Sequence, residues 1–133
     1  MTAVGFLLVV SAVACSHNSS SSSTTPSPSI TTQTFSGTVG VRGLDTNVFT
    51  VVQTGEVDVT LTSTTPGSIT MGVGLGTGGA SSCTLLPGGS VNTQAGSSPQ
   101  LTGELTPGPL CVQVYDLGTD TAPVAYTLTV AHP

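Results

Sequence analysis

The stretch Glu56-Val-Asp-Val-Thr-Leu-Thr62 alternates polar and apolar residues without a break. Because successive side chains of a strand point to opposite faces, this period of two predicts a half-buried β-strand. The same period recurs over residues 69–75, 110–114 and 126–130. The apolar members of these segments are expected to point inward: Val57, Val59, Leu61, Ile69, Met71, Val73, Leu75, Leu110, Val112, Val114, Tyr126, Leu128 and Val130.

Turn-forming residues separate these segments, for example Thr-Pro-Gly at 65–67, Pro-Gly-Gly at 87–89 and Thr-Pro-Gly-Pro at 106–109. No segment has the 3.6-residue period of an amphipathic helix, and 17 glycines with 9 prolines disfavour one. About seven or eight short strands in about 100 residues are typical of a sandwich. The sequence therefore predicts an all-β domain, an antiparallel β-sandwich, over residues 35–133.

Charged residues are scarce, at 5% of the chain, with one cation, six carboxylates and a formal net charge of −5. Binding to nucleic acid or to an anionic membrane surface needs clustered Lys and Arg that neutralise phosphates. Arg42 alone cannot supply such a cluster, so no nucleic-acid partner is expected. A surface kept soluble by Ser, Thr, Asn and Gln is common among exported proteins.

An apolar run, VGFLLVVSAV, occupies residues 4–13. At about ten residues it is shorter than the roughly 20 that a spanning helix needs, and it has the length of a signal-peptide core. The stretch Ala12-Val-Ala-Cys15 resembles the lipobox of bacterial lipoproteins, although Ala12 stands where Leu or Val is usual and the preceding residues carry no Lys or Arg. The resemblance implies a signal peptide over residues 1–14 and lipidation of Cys15. The alternative is an ordinary secretory signal with Cys15 incidental.

Residues 16–34, SHNSSSSSTTPSPSITTQT, have no apolar period and cannot bury a core, so they are predicted to be a disordered linker. Together with Cys15 they give a lipidated Ser/Thr/Pro-rich segment over residues 15–34, which would hold the domain away from a membrane. By the lipoprotein resemblance, Ser16 implies transport to the outer membrane. The expected location is therefore the bacterial cell envelope, with a freely secreted protein as the alternative.

The domain contains two cysteines, Cys83 and Cys111. Their disulfide would close a loop of about 28 residues and stabilise the domain by roughly 2–4 kcal/mol on the chain-entropy model. An exported setting permits this oxidation, and two free thiols are the alternative. Since Cys111 falls on the strand face opposite Leu110 and Val112, the bridge is expected to lie outside the main core.

Four stretches carry a resemblance to a family: Val48-Phe-Thr-Val51, Gly55-Glu-Val-Asp-Val-Thr-Leu61, Gly103-Glu-Leu-Thr-Pro-Gly-Pro-Leu-Cys-Val-Gln-Val-Tyr115 and Tyr126-Thr-Leu-Thr-Val130. Together they resemble the bacterial pre-peptidase C-terminal domains, with Leu110 where an aromatic residue is usual. The resemblance implies a jelly-roll-like sandwich that is not itself catalytic and that often serves binding or secretion.

Catalytic patterns are weak. Gly74-Leu-Gly-Thr-Gly-Gly79 fits GxGxxG, but no helical segment follows to bind a pyrophosphate, so we interpret it as a glycine-rich strand end and loop. Hydrolysis by a Ser/His/Asp triad needs a histidine held by packed structure. His17 lies in the linker and His132 is next to the last residue, so no histidine is expected within a strand. No catalytic residues and no enzymatic activity are predicted.

Three further groups have possible binding roles. Glu56 and Asp58 share a strand face that alternation directs into water, which argues against acid–base catalysis. Asp116 and Asp120 flank a glycine-containing loop and form a weak candidate for calcium, without the DxDxDG spacing. Tyr115, on the same face as Cys111, is expected to pack on the sheet, with a sugar-stacking platform as the alternative.

The sequence thus favours a non-catalytic cell-surface lipoprotein that acts in envelope structure or binds a surface protein or polysaccharide. The alternatives are an accessory module that assists an exported peptidase or other hydrolase, and a freely secreted binding domain. No cofactor other than possible calcium is expected.

Overall fold

A computed structural model describes residue 22 and residues 24–133. Within these residues the chain forms β-strands and no helix, and so contains no helical segment suited to crossing a membrane. The predicted signal peptide and Cys15 lie outside the described residues. The strands are β1 (Thr31–Val39), β2 (Leu44–Val51), β3 (Gly55–Thr65), β4 (Met71–Thr77), β5 (Thr84–Thr93), β6 (Leu101–Leu105), β7 (Gly108–Tyr115) and β8 (Val124–His132).

The strands form two antiparallel sheets of four. Sheet I has the order β1-β8-β3-β6 and sheet II the order β2-β7-β4-β5. The chain crosses between the sheets at most of its connections, and this order is that of an eight-stranded jelly roll. The predicted all-β sandwich is confirmed.

The core lies between the sheets and is built from alternate residues of both, as the period of two requires. Tyr126 and Phe49 are its aromatic members, and the rest is almost entirely Val, Leu and Met. The predicted inward residues are buried there, except that Ile69 precedes β4 and is only partly buried. The core cluster comprises Val39, Phe49, Val51, Val57, Val59, Leu61, Met71, Val73, Leu75, Leu101, Leu110, Val112, Val114, Val124, Tyr126, Leu128 and Val130.

The first strand begins earlier than the sequence pattern indicated. The sequence predicts a domain that starts at Phe35, but β1 starts at Thr31, which pairs with His132 of β8. Because β1 is an edge strand with much of its surface exposed, its first residues need no apolar side chains, and backbone pairing with β8 holds them. The linker prediction is therefore wrong for residues 31–34.

Antiparallel order gives the sandwich two distinct ends. Residues 24–30 are mostly exposed and enter β1 at one end, called here the stalk end, where the loops 52–54, 78–83 and 106–107 also lie. The loops 40–43, 66–70, 94–100 and 116–123 lie at the opposite end, called the far end. The longest connections are therefore remote from the N-terminal segment.

Candidate functional site

The predicted disulfide is present on the outer face of sheet II. Cys83 and Cys111 are bonded, with their Cα atoms 5.8 Å apart. Cys111 is fully buried yet belongs to the face opposite Leu110 and Val112, outside the core cluster between the sheets. The bridge ties the loop 78–83 to the centre of β7 and lies outside the main core, and this second feature was expected from the sequence.

On the outer face of sheet II, glycines lie beneath the side chains of neighbouring strands. Gly72, Gly74 and Gly76 are the outward residues of β4 and are buried. A side chain at Gly72 would overlap the Tyr115 ring, and one at Gly74 would overlap the methyl groups of Leu85. The run 74–79 is thus a strand end and a loop, as interpreted, and its glycines make room for side chains that lie across the sheet.

Polar and apolar side chains of the neighbouring strands complete this face. Leu44 of β2 pairs with Tyr115 of β7, and Thr46 pairs with Gln113, whose amide donates to the Thr46 hydroxyl at 3.3 Å. Leu44 is 59% exposed. On β5, Asn92 lies opposite Gly72 and is exposed. The strands of sheet II carry no charged side chain on this face within the described residues, since Asp45 points inward.

The two candidate calcium ligands lie at the far end, in the loop 116–123. One carboxylate oxygen of Asp116 accepts hydrogen bonds from the backbone N–H groups of Gly118, Thr119 and Asp120 at 2.8, 3.2 and 3.3 Å. The other accepts from the backbone N–H of Arg42 at 2.6 Å. These bonds, that from Arg42 above all, lower the pKa of Asp116. Asp116 therefore braces the loop 40–43 against the loop 116–123.

Asp120 differs from its neighbour. Desolvation first, and then the negative charge of Asp116, raise the pKa of Asp120. One of its carboxylate oxygens is buried without a hydrogen-bond partner in the described residues. Calcium takes about 6–8 oxygen ligands. The part of the chain that the structure describes brings no three His, Cys, Asp or Glu side chains into one metal-binding group, so the calcium site stays a prediction.

A polar cluster that sequence reasoning missed joins the two sheets. The Tyr126 hydroxyl, on β8, donates to a carboxylate oxygen of Asp45 at 2.7 Å and accepts from the Asn47 side chain, also at 2.7 Å. Burial, followed by the bond to Asp45, raises the pKa of Tyr126 to about 12. A side chain at Gly37 would overlap the Asp45 carboxylate. The signal in the sequence is that polar Asp45 and Asn47 occupy inward positions of β2.

The expectation that no histidine lies within a strand is wrong. His132 is the last residue of β8, because β1 pairs with β8 along its full length. The residue is 4% exposed. Its ring centroid lies 5.2 Å from that of Phe49, and its Nδ1 lies 3.1 Å from the Pro133 carbonyl oxygen. Its Nε2 has no partner among the described residues, so no nucleophile is hydrogen-bonded to the ring.

The outer face of sheet I carries the remaining candidates. Glu56 is exposed and Asp58 half-buried, and a carboxylate oxygen of Asp58 accepts from the Thr102 hydroxyl at 2.8 Å. Glu56 pairs with Glu104 across β3 and β6. Both carboxylates of β3 face outward, as the alternation predicted.

No enclosed pocket occurs among the described residues. A comparison with protein-family models finds none that matches this chain, and a search of curated proteins finds no similar one. The resemblance to pre-peptidase C-terminal domains therefore stays a prediction. Within the described residues, the surfaces that could serve a function are the loops at the two ends and the two outer faces.

Proposed function

We propose that this protein is a non-catalytic surface lipoprotein of the bacterial cell envelope, in which a β-sandwich binding module stands on a Ser/Thr/Pro-rich stalk anchored through lipid on Cys15. The observation that supports the proposal is the position of the stalk. Residues 24–30 enter the domain at the stalk end, whereas the loops 94–100 and 116–123 lie at the far end. An anchor at Cys15 would leave the far end and both outer faces accessible.

The far-end loops are braced in a way that suits display. The Gln100 side chain, just before β6, pairs with the Leu61 backbone as a further residue of that strand would. Its amide oxygen accepts from the Leu61 N–H at 2.7 Å, and its amide nitrogen donates to the Leu61 carbonyl at 3.2 Å. The Gly96 N–H also donates to that carbonyl, at 2.9 Å. Loops held by such bonds lose little further conformational entropy on binding, which favours recognition.

The anchor is tested by intact mass and detergent partitioning of the full chain made in a bacterium that processes lipoproteins. We expect the mass of residues 15–133 with acyl chains, less two hydrogens for the Cys83–Cys111 bridge, and partition into the detergent phase. A Cys15→Ser variant should lose the lipid. A Ser20→Ala variant, which alters the stalk alone, should keep it.

A wild-type product that carries no lipid and stays in the aqueous phase would overturn the anchor. Cys15 would then be incidental and the domain would be freely secreted. In that case an exported peptidase or hydrolase that co-purifies with it would favour the accessory-module alternative.

A further inference from the structure

The Tyr115 ring lies flat on the outer face of sheet II. The position that a Cβ atom of Gly72 would take is occupied by the Cε2, Cζ and Cδ2 atoms of that ring. The ring therefore rests on the backbone of β4, and it can do so only because residue 72 is glycine. Tyr115 is half-buried, so part of its side chain remains accessible to solvent.

Next to the ring lie groups that can hydrogen-bond to a ligand. Gln113 and Thr46 occupy the next outward row of β7 and β2, and Asn92 lies on the other side of Gly72. Their amides and hydroxyl offer donors and acceptors beside an aromatic surface. Leu44, directly opposite Tyr115, extends the apolar surface and is largely exposed.

The positions of the charged side chains indicate whether the ligand is cationic, anionic or neutral. The chain has a formal net charge of −5. Its six carboxylates nevertheless lie elsewhere: Glu56, Asp58 and Glu104 belong to sheet I, Asp116 and Asp120 to the far-end loop 116–123, and Asp45 of β2 points between the sheets. On the described strands of this face a cationic ligand finds no carboxylate and an anionic one finds no cation, while Arg42 and Asp116 lie in the loops next to Leu44 and Tyr115. A neutral ligand with apolar C–H faces and many hydroxyls complements a ring flanked by amides.

We propose that the outer face of sheet II binds a neutral pyranose polysaccharide, with the Tyr115 ring as the stacking platform and Gln113 and Asn92 as hydrogen-bonding groups beside it. This inference rests on the proposed function in that it assigns a ligand class to the surface module. The absence of a deep pocket among the described residues fits a polymer that lies along an open face.

The test measures binding of the full chain, purified in detergent, to cellulose, chitin and soluble mannan, with polygalacturonate as an anionic comparison. We expect binding to at least one neutral polymer and none to polygalacturonate. Tyr115→Ala should weaken binding about tenfold or more, a loss of about 1.4 kcal/mol. Tyr115→Phe should stay close to wild type, because the ring is retained.

Two further variants test whether binding depends on the position of the Tyr115 ring as well as on its presence. Gly72→Ala keeps Tyr115 but pushes the ring off the sheet, and we expect it to weaken binding as well. Thr129→Ala, on the outer side of sheet I, is the control and should leave binding unchanged. The melting temperature of each variant shows whether the domain is folded.

Failure of all three neutral polymers to bind would overturn the proposal, as would wild-type binding by a folded Tyr115→Ala protein. A concentration-dependent dimer that Leu44→Ser dissociates, without any sugar binding, would assign the face to a second copy of the chain instead. The Cys15→Ser variant should bind sugar as the lipidated chain does. Loss of the anchor and loss of sugar binding are therefore separate results.

Discussion

The two outer faces of the sandwich differ in almost every property, although each belongs to a four-stranded antiparallel sheet. On sheet I the outward residues of β1 and β8 are mostly Ser and Thr. The outward residues of β3 and β6 include the carboxylates Glu56, Asp58 and Glu104. On sheet II the outward residues of β4 are glycines covered by Tyr115 and Leu85, and the disulfide lies beside them.

This difference separates two kinds of outward position. A threonine on sheet I, such as Thr34, contacts mainly water and its strand neighbours, so its identity is weakly constrained. A glycine on sheet II lies beneath another residue, so any side chain there displaces a packed group. The outer face of sheet II therefore has packing constraints of the kind found in a core, while that of sheet I has fewer, with Thr60 as a buried outward residue.

The largest effect is expected from Gly76→Val. A Cβ atom at Gly76 would overlap the backbone carbonyl group of Thr84, which cannot move aside as the end of a side chain can. We expect a loss of about 3 kcal/mol in the free energy of unfolding, at the upper end of the usual range for overpacking. Urea denaturation of the oxidised protein measures it.

Thr129→Val, the corresponding change on sheet I, is the matched control. Residue 129 pairs with Thr34 and Thr60 on either side, and valine suits an outward strand position, so the change should stay within about 0.5 kcal/mol. Equal losses in the two variants would show that the faces do not differ in packing as described.

The residues that point into the core could be predicted from the sequence, because the alternation of polar and apolar residues indicates them directly. Val57, Val59 and Leu61 are fully buried as expected, and Cys111 lies on the face opposite its neighbours. The covered outer face could not be predicted in the same way. A glycine has no side chain to give a hydropathy signal, so the pattern does not indicate that Gly72 and Gly76 lie beneath other residues.

Contacts between distant strands were also beyond the sequence. Asp45 and Tyr126 are separated by 81 positions and meet only because β2 and β8 face each other across the sandwich. Thr31 and His132 form a backbone pair that no apolar pattern marks. Sequence periodicity indicates which way a side chain points but not which residue of the facing sheet it meets.

A smaller effect is expected from Tyr126→Phe, which removes the hydrogen bonds that join the two sheets. Asp45 and Asn47 would each lose a partner, and we expect a loss of about 1–2 kcal/mol in the free energy of unfolding at neutral pH. Because the pKa of Tyr126 is raised from 10.0 to about 12, its protonated form is favoured by folding. This stabilisation is complete below about pH 10 and is lost as the pH rises through 12.

The wild type should therefore lose stability between pH 10 and 12 more steeply than Tyr126→Phe. Urea midpoints measured at intervals across this range compare the two proteins. Parallel curves would show that the Tyr126 hydroxyl does not carry the alkaline sensitivity. Tyr115→Phe, a tyrosine change on the outer face of sheet II, is the control and should follow the wild type.

The smallest effect concerns charge on sheet I. Glu56 and Glu104 are directly opposite each other on β3 and β6, both exposed, and like charges in that arrangement destabilise a strand pair. Glu104→Gln should raise the free energy of unfolding by between about 0.2 and 1 kcal/mol at low salt, and the gain should shrink at about 1 M salt, where screening is strong. Asp58→Asn should act oppositely, because the Asp58 carboxylate accepts a hydrogen bond from Thr102. A salt-independent gain in the stability of Glu104→Gln would point to packing or strand propensity instead of repulsion. Charge repulsion would then not be one of the properties in which the outer face of sheet I differs from that of sheet II.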